Sequence, residues 1–241
     1  MIKLGSFTFR PTLIGSIAAG LALALLLGLG VWQLQRLAWK TALIAELAER
    51  SQAQAIELPP AFLPEEMVYR RVYLSGRFLP ERELRSAPRI LSKRPGLYVY
   101  APFELDDGRQ IIVERGWLPQ RLEDPTSRPD GLPEGRLALE AVLLREGWQG
   151  SEWLRPANDP AKNVWHYVDS LEMAAAAGLE LPVAGVYAAL LPGQLPGEYP
   201  LARPPGVDLR NDHLEYAITW FALAGILLVI YAMVHIRRDG D

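Results

Sequence analysis

The chain has 241 residues, half of them hydrophobic, and a formal net charge of −3. It contains no cysteine, which excludes structural disulfides, thiolate metal sites and a thiol nucleophile. A small negative charge provides no large basic field of the kind that binds nucleic acid, so no nucleic-acid partner is expected. The apolar residues are concentrated near the two ends of the chain, and the middle has the composition of one medium-sized water-soluble domain.

The first apolar segment has no charged residue between Pro11 and Gln35. Its apolar part, residues 12–34, exceeds the roughly 20 residues that a helix needs to cross a bilayer. It is also longer than the 7–15 apolar residues, roughly, of a secretory signal, and no convincing A-x-A cleavage site follows. The segment is therefore predicted to be a retained transmembrane helix after a short tail, residues 1–11.

Small residues recur along this first helix at Ser16, Gly20, Ala24 and Gly28. This spacing makes a smooth ridge against which another helix can pack closely. Membrane helices are rich in glycine and alanine in any case, so a chance pattern is an open alternative. If the ridge is a contact surface, its partner is either the second membrane helix or another membrane protein.

The region from 35 to 213 is predicted to be an extracytoplasmic, mainly antiparallel β domain of an α+β protein, with a small barrel as one option. Helical periodicity first continues from Leu34 to Leu47. Asp106-Asp107-Gly108 is a turn signal between two alternating segments, which predicts a hairpin. Strands are also expected within 68–78 and 183–192, and a helix from Asp169 or Ser170 to a stop at Gly178. Residues 135–146 could form a strand or a helix, and their turn-rich flanks favour a strand.

Residues 191–206 contain five prolines, which cannot join a sheet ladder and favour extended backbone. This composition predicts a stiff tether between the domain and the membrane, with a Pro-rich recognition motif as the alternative. Acids outnumber bases between the two apolar segments. A mildly acidic domain is expected to stand off an anionic lipid surface.

A second uncharged run extends from Tyr216 to Ile236, which predicts a transmembrane helix over 214–235 and a short tail over 236–241. Lys3 and Arg10 precede the first helix, and Arg237 and Arg238 follow the second. Short positive flanks stay in the cytoplasm. Both tails are therefore expected inside the cell, and the middle domain outside.

No enzyme motif is present: the chain has no G-x-S-x-G, phosphate loop, H-E-x-x-H or glycine fingerprint that opens a helix. The carboxylates are scattered rather than paired. The chain is therefore not expected to be an enzyme.

Polar and aromatic residues are concentrated at the predicted outer ends of the two membrane helices. His213, Tyr216 and Trp220 lie at i, i+3 and i+7, on roughly one helix face. Trp32, Arg36 and Trp39 lie at i, i+4 and i+7 on the other helix. Both sets are at the same predicted depth and could face each other across one pocket.

An imidazole, aromatic walls and cations above an apolar floor are what a haem requires for its iron, ring and propionates. The alternative is an ordinary aromatic belt with snorkelling cations. His235 is 22 residues from His213, about 33 Å along a helix, and cannot share its site. His166 is open as a second ligand or as a structural histidine of the outer domain.

Four segments of the chain form a recognisable set: "GVWQLQRLAWK" from Gly30, "VERGWLP" from Val113, "NVWHYVD" from Asn163 and "NDHLEYAITWFALAGILLVIY" from Asn211. Together they resemble the Surfeit-locus protein family, whose members assist the biogenesis of cytochrome c oxidase. The resemblance extends over essentially the whole chain, and the two membrane-end segments are its specific part.

The resemblance implies two helices that flank a domain outside the cytoplasmic membrane, and a role in placing haem a into oxidase subunit I. The family's histidine corresponds to His213, an axial ligand to haem iron, and Trp32, Gln33 and Arg36 match the first family motif. Asp212 departs from the family's usual asparagine, and an acid there raises the proton affinity of the imidazole or accepts its N–H. The absence of a transit peptide ahead of the first helix favours a bacterial member.

Three hypotheses follow for the function. The leading one is a haem a chaperone of the bacterial inner membrane, with Arg36 on a propionate and Trp32, Tyr216 and Trp220 around the ring. Its expected partners are oxidase subunit I, membrane lipid and, as a further candidate, the haem a synthase. The alternative is a membrane scaffold that stabilises immature subunit I without binding haem, and a third is an unrecognised outer-domain enzyme or sensor.

Overall fold

The computed structural model describes residues 2–4, 7–79, 82–128, 133–203 and 211–238. The chain forms two compact units, one of Met1–Glu46 with Asp208–Asp241 and the other of Leu47–Val207. In chain order the elements are β1 (Ile2–Leu4), β2 (Phe7–Phe9), α1 (Leu13–Gln52), β3 (Ile56–Glu57), α2 (Pro64–Met67), β4 (Arg71–Phe78), β5 (Leu84–Arg85), β6 (Arg89–Leu91), β7 (Arg94–Leu105), β8 (Gln110–Pro119), β9 (Leu137–Arg145), α3 (Ser170–Ala177), β10 (Val186–Leu190), α4 (His213–His235) and β11 (Ile236–Arg238).

The two long helices contain the two predicted membrane segments. Both α1, with 40 residues, and α4, with 23, are long and apolar enough to cross a membrane. At 1.5 Å per residue α1 is about 60 Å long, roughly twice the thickness of a hydrocarbon core. It therefore continues without a break beyond residue 34, and the division between the compact units at Leu47 lies inside it.

The residues predicted as tails form a small antiparallel sheet in the order β1–β2–β11. Strand β2 pairs with both others, with Phe9 opposite Ile2 on one side and Ile236 on the other. The Arg10 amide donates to the His235 carbonyl at 2.8 Å, which extends this connection to the ends of α1 and α4. Three-residue strands are too short to leave an alternating pattern, so the sequence did not indicate them.

The second unit is built on an eight-stranded mixed sheet in the order β3–β4–β9–β10–β8–β7–β5, with β6 added to β7. An additional antiparallel pairing between β4 and β7 closes β4, β9, β10, β8 and β7 into a ring of hydrogen-bonded neighbours. Among the strands of the described residues, β8–β10 and β3–β4 are the parallel pairs. The expectation of a mainly antiparallel β domain between two apolar helices is thus confirmed.

Alternating side chains of these strands form the larger core. Fully buried members include Val72, Leu74, Phe103, Ile111 and Leu143. The predicted hairpin is β7–β8, and its turn lies at Asp106–Gly108, where the Gly108 amide donates to the Leu105 carbonyl. Strands were also expected correctly at β4, β9 and β10, because two-residue alternation is a local signal.

A second, smaller core covers the other face of β7 and β8 and includes Tyr100, Ile112, Trp165 and Met173. Met173 belongs to α3, whose first turn is capped by the Asp169 side chain, which accepts from the Glu172 amide. Gly178 ends α3 in the left-handed conformation, with φ of +63°. The predicted start and stop of this helix are confirmed.

The segment predicted as a tether, 191–206, contacts its own domain as far as Ala202. Leu195 and Ala202 pack against the larger core, and Leu201 exchanges two backbone hydrogen bonds with Trp117, at 2.8 and 3.0 Å. Gly116 makes this approach possible, because a Cβ there would lie only 2.4 Å from the Leu201 carbonyl oxygen. Residues 204–206 of the predicted tether lie outside the described residues.

Candidate functional site

The ends of the two apolar helices that were predicted to be the outer ones contact each other in the structure. This contact region, here called the junction, lies wholly within the first unit. The helices run antiparallel and meet on one face of each. Gly30, buried in α1, lies against the Phe221 ring, and a Cβ at Gly30 would be 2.6 Å from that ring. Ala217 and Ala224 are the buried small residues of α4. Small side chains therefore let the two backbones approach closely here.

His213, the first residue of α4, contacts Gln33 of α1 directly. The His213 Nδ1 atom lies 2.7 Å from the Gln33 Oε1 atom. Gln33 is only 8% exposed, a low value for an amide on a helix that is otherwise apolar at this level. A buried amide is costly without a hydrogen-bond partner, so the imidazole stabilises the position of Gln33 and Gln33 orients the ring.

This contact has a consequence for the chemistry of the imidazole. The Gln33 Oε1 atom is an acceptor only, so the Nδ1 atom carries the proton and donates. The Nε2 atom of the neutral ring then keeps its lone pair and is available as a metal ligand or a proton acceptor. A histidine held in this way resembles metal-ligating histidines, whose second nitrogen donates to an oxygen.

Aromatic and cationic side chains flank this pair. On α1, the positions of Trp32 and Arg36 are rotated about the helix axis to the same side of Gln33. On α4, the position of Tyr216 is rotated to one side of His213, and that of Trp220 lies nearly above His213 along the axis. Because the helices are antiparallel, the rotation of 100° per residue places the flanking residues of both helices on the same side of the Gln33–His213 contact. Trp32 and Tyr216 are 51% and 54% exposed, so both present large apolar surfaces outward.

Arg36 stacks over the Trp39 ring, with its guanidinium carbon 4.2 Å from the ring centroid. Cation–π stacking of this kind holds the charge on the predicted face while its N–H groups can still reach an anion. Two members of the predicted flank, Arg36 and Trp39, are thus in contact, as their i, i+3 spacing on α1 allows.

Two features of the junction were missed. The Asn211 amide donates to the Thr41 hydroxyl at 3.3 Å, about two helical turns beyond Gln33. Gly30 and Phe221 form the closest backbone approach. An isolated glycine inside a helix was the one available signal, because such a glycine usually has a packing reason.

The other two histidines lie away from this junction. His235 is at the opposite end of α4, where its Nδ1 donates to the Tyr231 carbonyl at 2.8 Å and its ring packs beside Tyr231 and Phe9. The Tyr231 hydroxyl in turn lies 2.5 Å from the Ser16 hydroxyl. His235 therefore belongs to a separate packing cluster, as its distance along the helix required. His166 belongs to the second unit.

The predicted small-residue ridge does not pack against α4 along its length. Ser16 contacts Tyr231, but a Cβ built at Gly20 or Gly28 meets nothing within 4 Å among the described residues. The prediction that the ridge packs against the second helix is therefore wrong for Gly20 and Gly28. Gly20 and Gly28 lie outside the contact face of α1, because α4 packs against Ser16, Gly30 and Gln33 instead.

Comparison with known proteins places this architecture in one family. A profile of the SURF1 family matches residues 20–225, which includes most of both apolar helices and the whole β domain. The chain is 35% identical over 217 residues to Surfeit locus protein 1 of Homo sapiens, covering 82% of this chain and 69% of the relative. It is 33% identical over 226 residues to a SURF1-like protein of Monosiga brevicollis, covering 88% and 84%, and 32% identical over 229 residues to Surfeit locus protein 1 of Rattus norvegicus, covering 88% and 72%.

The matched segments include the junction residues and the strands that form both cores, so the resemblance inferred from four short motifs extends to the whole architecture. Two candidate membrane-spanning helices also indicate a membrane protein. The chain therefore belongs to the SURF1 family.

Proposed function

We propose that this protein is a cytochrome c oxidase assembly factor that binds haem a at the outer end of its two membrane helices and assists insertion into subunit I. Membership in the SURF1 family supports the role in oxidase assembly. The bacterial cytoplasmic membrane, with the β domain on the periplasmic side, is the proposed location. Oxidase subunit I and the haem a synthase are the proposed partners, as acceptor and donor of the cargo.

The observation that carries this proposal is the 2.7 Å contact between His213 and Gln33. It aligns the imidazole with α1 and leaves the Nε2 lone pair available, which is the form that ligates haem iron. A lone imidazole at a helix end with no fixed tautomer would support the proposal much less.

The flanking residues fit the other parts of a porphyrin. Trp32, Tyr216 and Trp220 offer flat apolar surface to the ring, and Arg36 offers a fixed cation to a propionate. All of these act by binding and orientation. No bond of the cargo is made or broken, so the proposed activity requires no catalytic group.

The proposal predicts that His213 is required for haem binding. His213→Ala, purified from cells that also make haem a, is expected to lose the haem absorption spectrum while its circular dichroism stays unchanged. Gln33→Leu keeps the ligand but removes the acceptor from Nδ1, and is expected to weaken haem binding by about 10- to 100-fold.

His166→Ala is the matched control, because it removes an imidazole from the other compact unit. It is expected to retain the spectrum. If His213→Ala binds haem as the unaltered protein does, the haem proposal is wrong, whatever the state of oxidase assembly in the same cells.

The alternative function is a membrane scaffold that holds immature subunit I without binding haem. One observation favours it: Gly20 and Gly28 leave open space on a face of α1 that α4 does not occupy. Under this alternative, Gly20→Leu with Gly28→Leu abolishes association with the oxidase subunit, whereas His213→Ala has no effect. Co-purification of subunit I with each variant separates the two functions.

A further inference from the structure

The β6–β7 hairpin of the second unit is a basic tip on a chain whose net charge is negative. Arg89 begins its first strand, Lys93 lies in its turn and Arg94 begins its second strand, and residues 89–94 include no acid. Ile90, between these cations, is 79% exposed. Neither Lys93 nor Arg94 has an ion-pair partner among the residues that the structure describes.

The backbone of this turn is held in an unfavourable conformation. Leu91 pairs with Arg94, so Ser92 and Lys93 are the two turn residues, and their φ angles are +48° and +65°. Turns of this geometry favour Asn-Gly, and other L-residues are disfavoured there. A lysine retained at such a position, where glycine would favour the fold, points to a role for its charge.

A second exposed apolar tip lies beside the hairpin. Trp153, in a single 3-10 turn, is 83% exposed, and the next cation, Arg155, lies 6.0 Å above the Tyr167 ring while also pairing with Glu152 at 3.3 Å. From the other side, the Arg89 guanidinium donates to the carbonyl of His166, the residue before Tyr167. The two tips therefore flank His166–Tyr167.

The base of the hairpin lies beside the last segment of the second unit that the structure describes. The Trp117 indole N–H donates to the Arg89 carbonyl at 3.5 Å, and the Trp117 backbone is paired with Leu201. Only nine residues of chain, 202–210, separate Leu201 from Asn211, which precedes the apolar helix α4. This length of chain allows the hairpin to reach a bilayer crossed by α4.

We propose that the Arg89–Arg94 hairpin, together with Trp153, binds the anionic headgroup surface of the membrane. Lys93 and Arg94 attract lipid phosphates, and each basic residue near an anionic surface contributes to binding. Ile90 and Trp153 then enter the interfacial region, where isolated apolar and indole side chains are stabilised. The net negative charge of the whole domain, from which it was expected to stand off lipid, does not reveal this local basic site.

A protein partner is a poorer match to the same surface. Protein interfaces are enriched in Trp and Arg, but their buried core is a packed apolar patch that is depleted in Lys. This tip instead has single apolar side chains separated by cations, which matches the layered chemistry of a lipid surface.

The chain has no cysteine, so one engineered thiol can report on the tip in the full-length protein. Ile90→Cys, carrying the environment-sensitive fluorophore NBD, is reconstituted in nanodiscs that contain phosphatidylglycerol and phosphatidylcholine, or phosphatidylcholine alone. The expected result is a blue-shifted, brighter NBD emission with phosphatidylglycerol, which is lost in phosphatidylcholine and lost again when Lys93→Glu and Arg94→Glu are added.

Leu181→Cys is the matched control. Leu181 is 61% exposed, and its carbonyl accepts from Gln110 at the end of β8 opposite to Trp117. Its NBD emission is expected to be the same in both lipid compositions. Trp153→Cys provides a second reporting position if the Ile90 variant is unstable.

Three outcomes overturn the proposal: the same emission from Ile90→Cys in detergent as in anionic nanodiscs, a shift of equal size in phosphatidylcholine alone, or a shift that arises only when purified oxidase is added. The last would assign the tip to a protein partner. The protein is prepared from cells without haem a, so the result is independent of whether His213 binds haem.

Discussion

Among the acids that the structure describes, Glu114 has a pKa that its surroundings raise strongly. It lies on β8 opposite Tyr100, on the face covered by the smaller core. Burial raises the pKa of Glu114 to about 7, and a hydrogen bond from the Tyr100 hydroxyl lowers it only in part. Burial also raises the pKa of Tyr100, which therefore stays a neutral donor. The folded domain thus binds a proton here that the unfolded chain releases.

This proton makes stability depend on pH in a definite direction. Between the ordinary pKa of 4.5 and the folded value of about 7, the folded state binds more protons than the unfolded state, so stability falls as pH rises through this window. The shift corresponds to a loss on the order of 3 kcal/mol by pH 8. Glu114→Gln, which keeps the acceptor for Tyr100, is expected to remove this loss and to stabilise the domain at pH 8 but not at pH 4.5.

Urea unfolding of both proteins at the two pH values measures the difference directly. Glu104→Gln is a suitable control, because Glu104 forms an exposed pair with Arg77 at 2.8 Å. Such pairs contribute roughly 0–1 kcal/mol. Equal pH dependence in the Glu114→Gln and unaltered proteins would contradict the assignment.

For the secondary-structure elements, the main result is how α1 and α4 pack. Their hydrophobic residues surround each helix on all sides, so periodicity could not identify the contact face. Contacts at Ser16, Gly30 and Gln33 define it, and each involves a small or polar residue. Such residues determine helix pairing where the surroundings are as apolar as the helices themselves.

Gly30→Leu is expected to force the helices apart, because even a Cβ lies 2.6 Å from the Phe221 ring. Overpacking of this kind costs about 1–3 kcal/mol. With Gln33→Cys and His213→Cys as reporters in the cysteine-free chain, a short bismaleimide should join the helices efficiently in the parent protein and poorly in the Gly30→Leu variant. Phe221→Ala should restore the yield.

Gly28→Leu is the matched control for this experiment, since no described atom lies within 4 Å of a Cβ at that position. It should leave the crosslinking yield unchanged. A reduced yield with Gly28→Leu, or an unchanged yield with Gly30→Leu, would mean that the helices pair through another face.

Considered as a whole, the molecule is a β domain inserted between two helices that can each cross a membrane. Two crossings would return the chain to the side on which it began, which would place both termini on one side and the β domain on the other. The basic residues of the short tails favour the cytoplasm for the termini.

The orientation has a direct test in intact bacterial cells. Leu181→Cys in the exposed part of the β domain should react with a membrane-impermeant maleimide, whereas Lys3→Cys should react only after permeabilisation. The opposite pattern would place the β domain in the cytoplasm and would exclude haem binding at a periplasmic surface.

Much of the fold was accessible from local patterns. The apolar segments, the β7–β8 hairpin and the caps of α3 each depend on residues within a few positions of one another, such as Asp169 and Gly178. The short elements β3, β5, β6 and α2 were not expected, because two to four residues carry too little periodicity. For the site, helical spacing predicted the residues of each flank but not the atoms that join them.

Composition and periodicity alone established two apolar helices around a soluble β domain, because chain length and hydrophobic pattern are properties of contiguous residues. Contacts between distant residues were decided only on folding. The β4–β7 pairing that closes the strand ring, the approach of Phe221 to Gly30 and the hydrogen bond between His213 and Gln33 each join positions that are far apart in sequence. No local pattern specifies such pairs, since their free energy depends on which surfaces remain to be buried once the elements have formed.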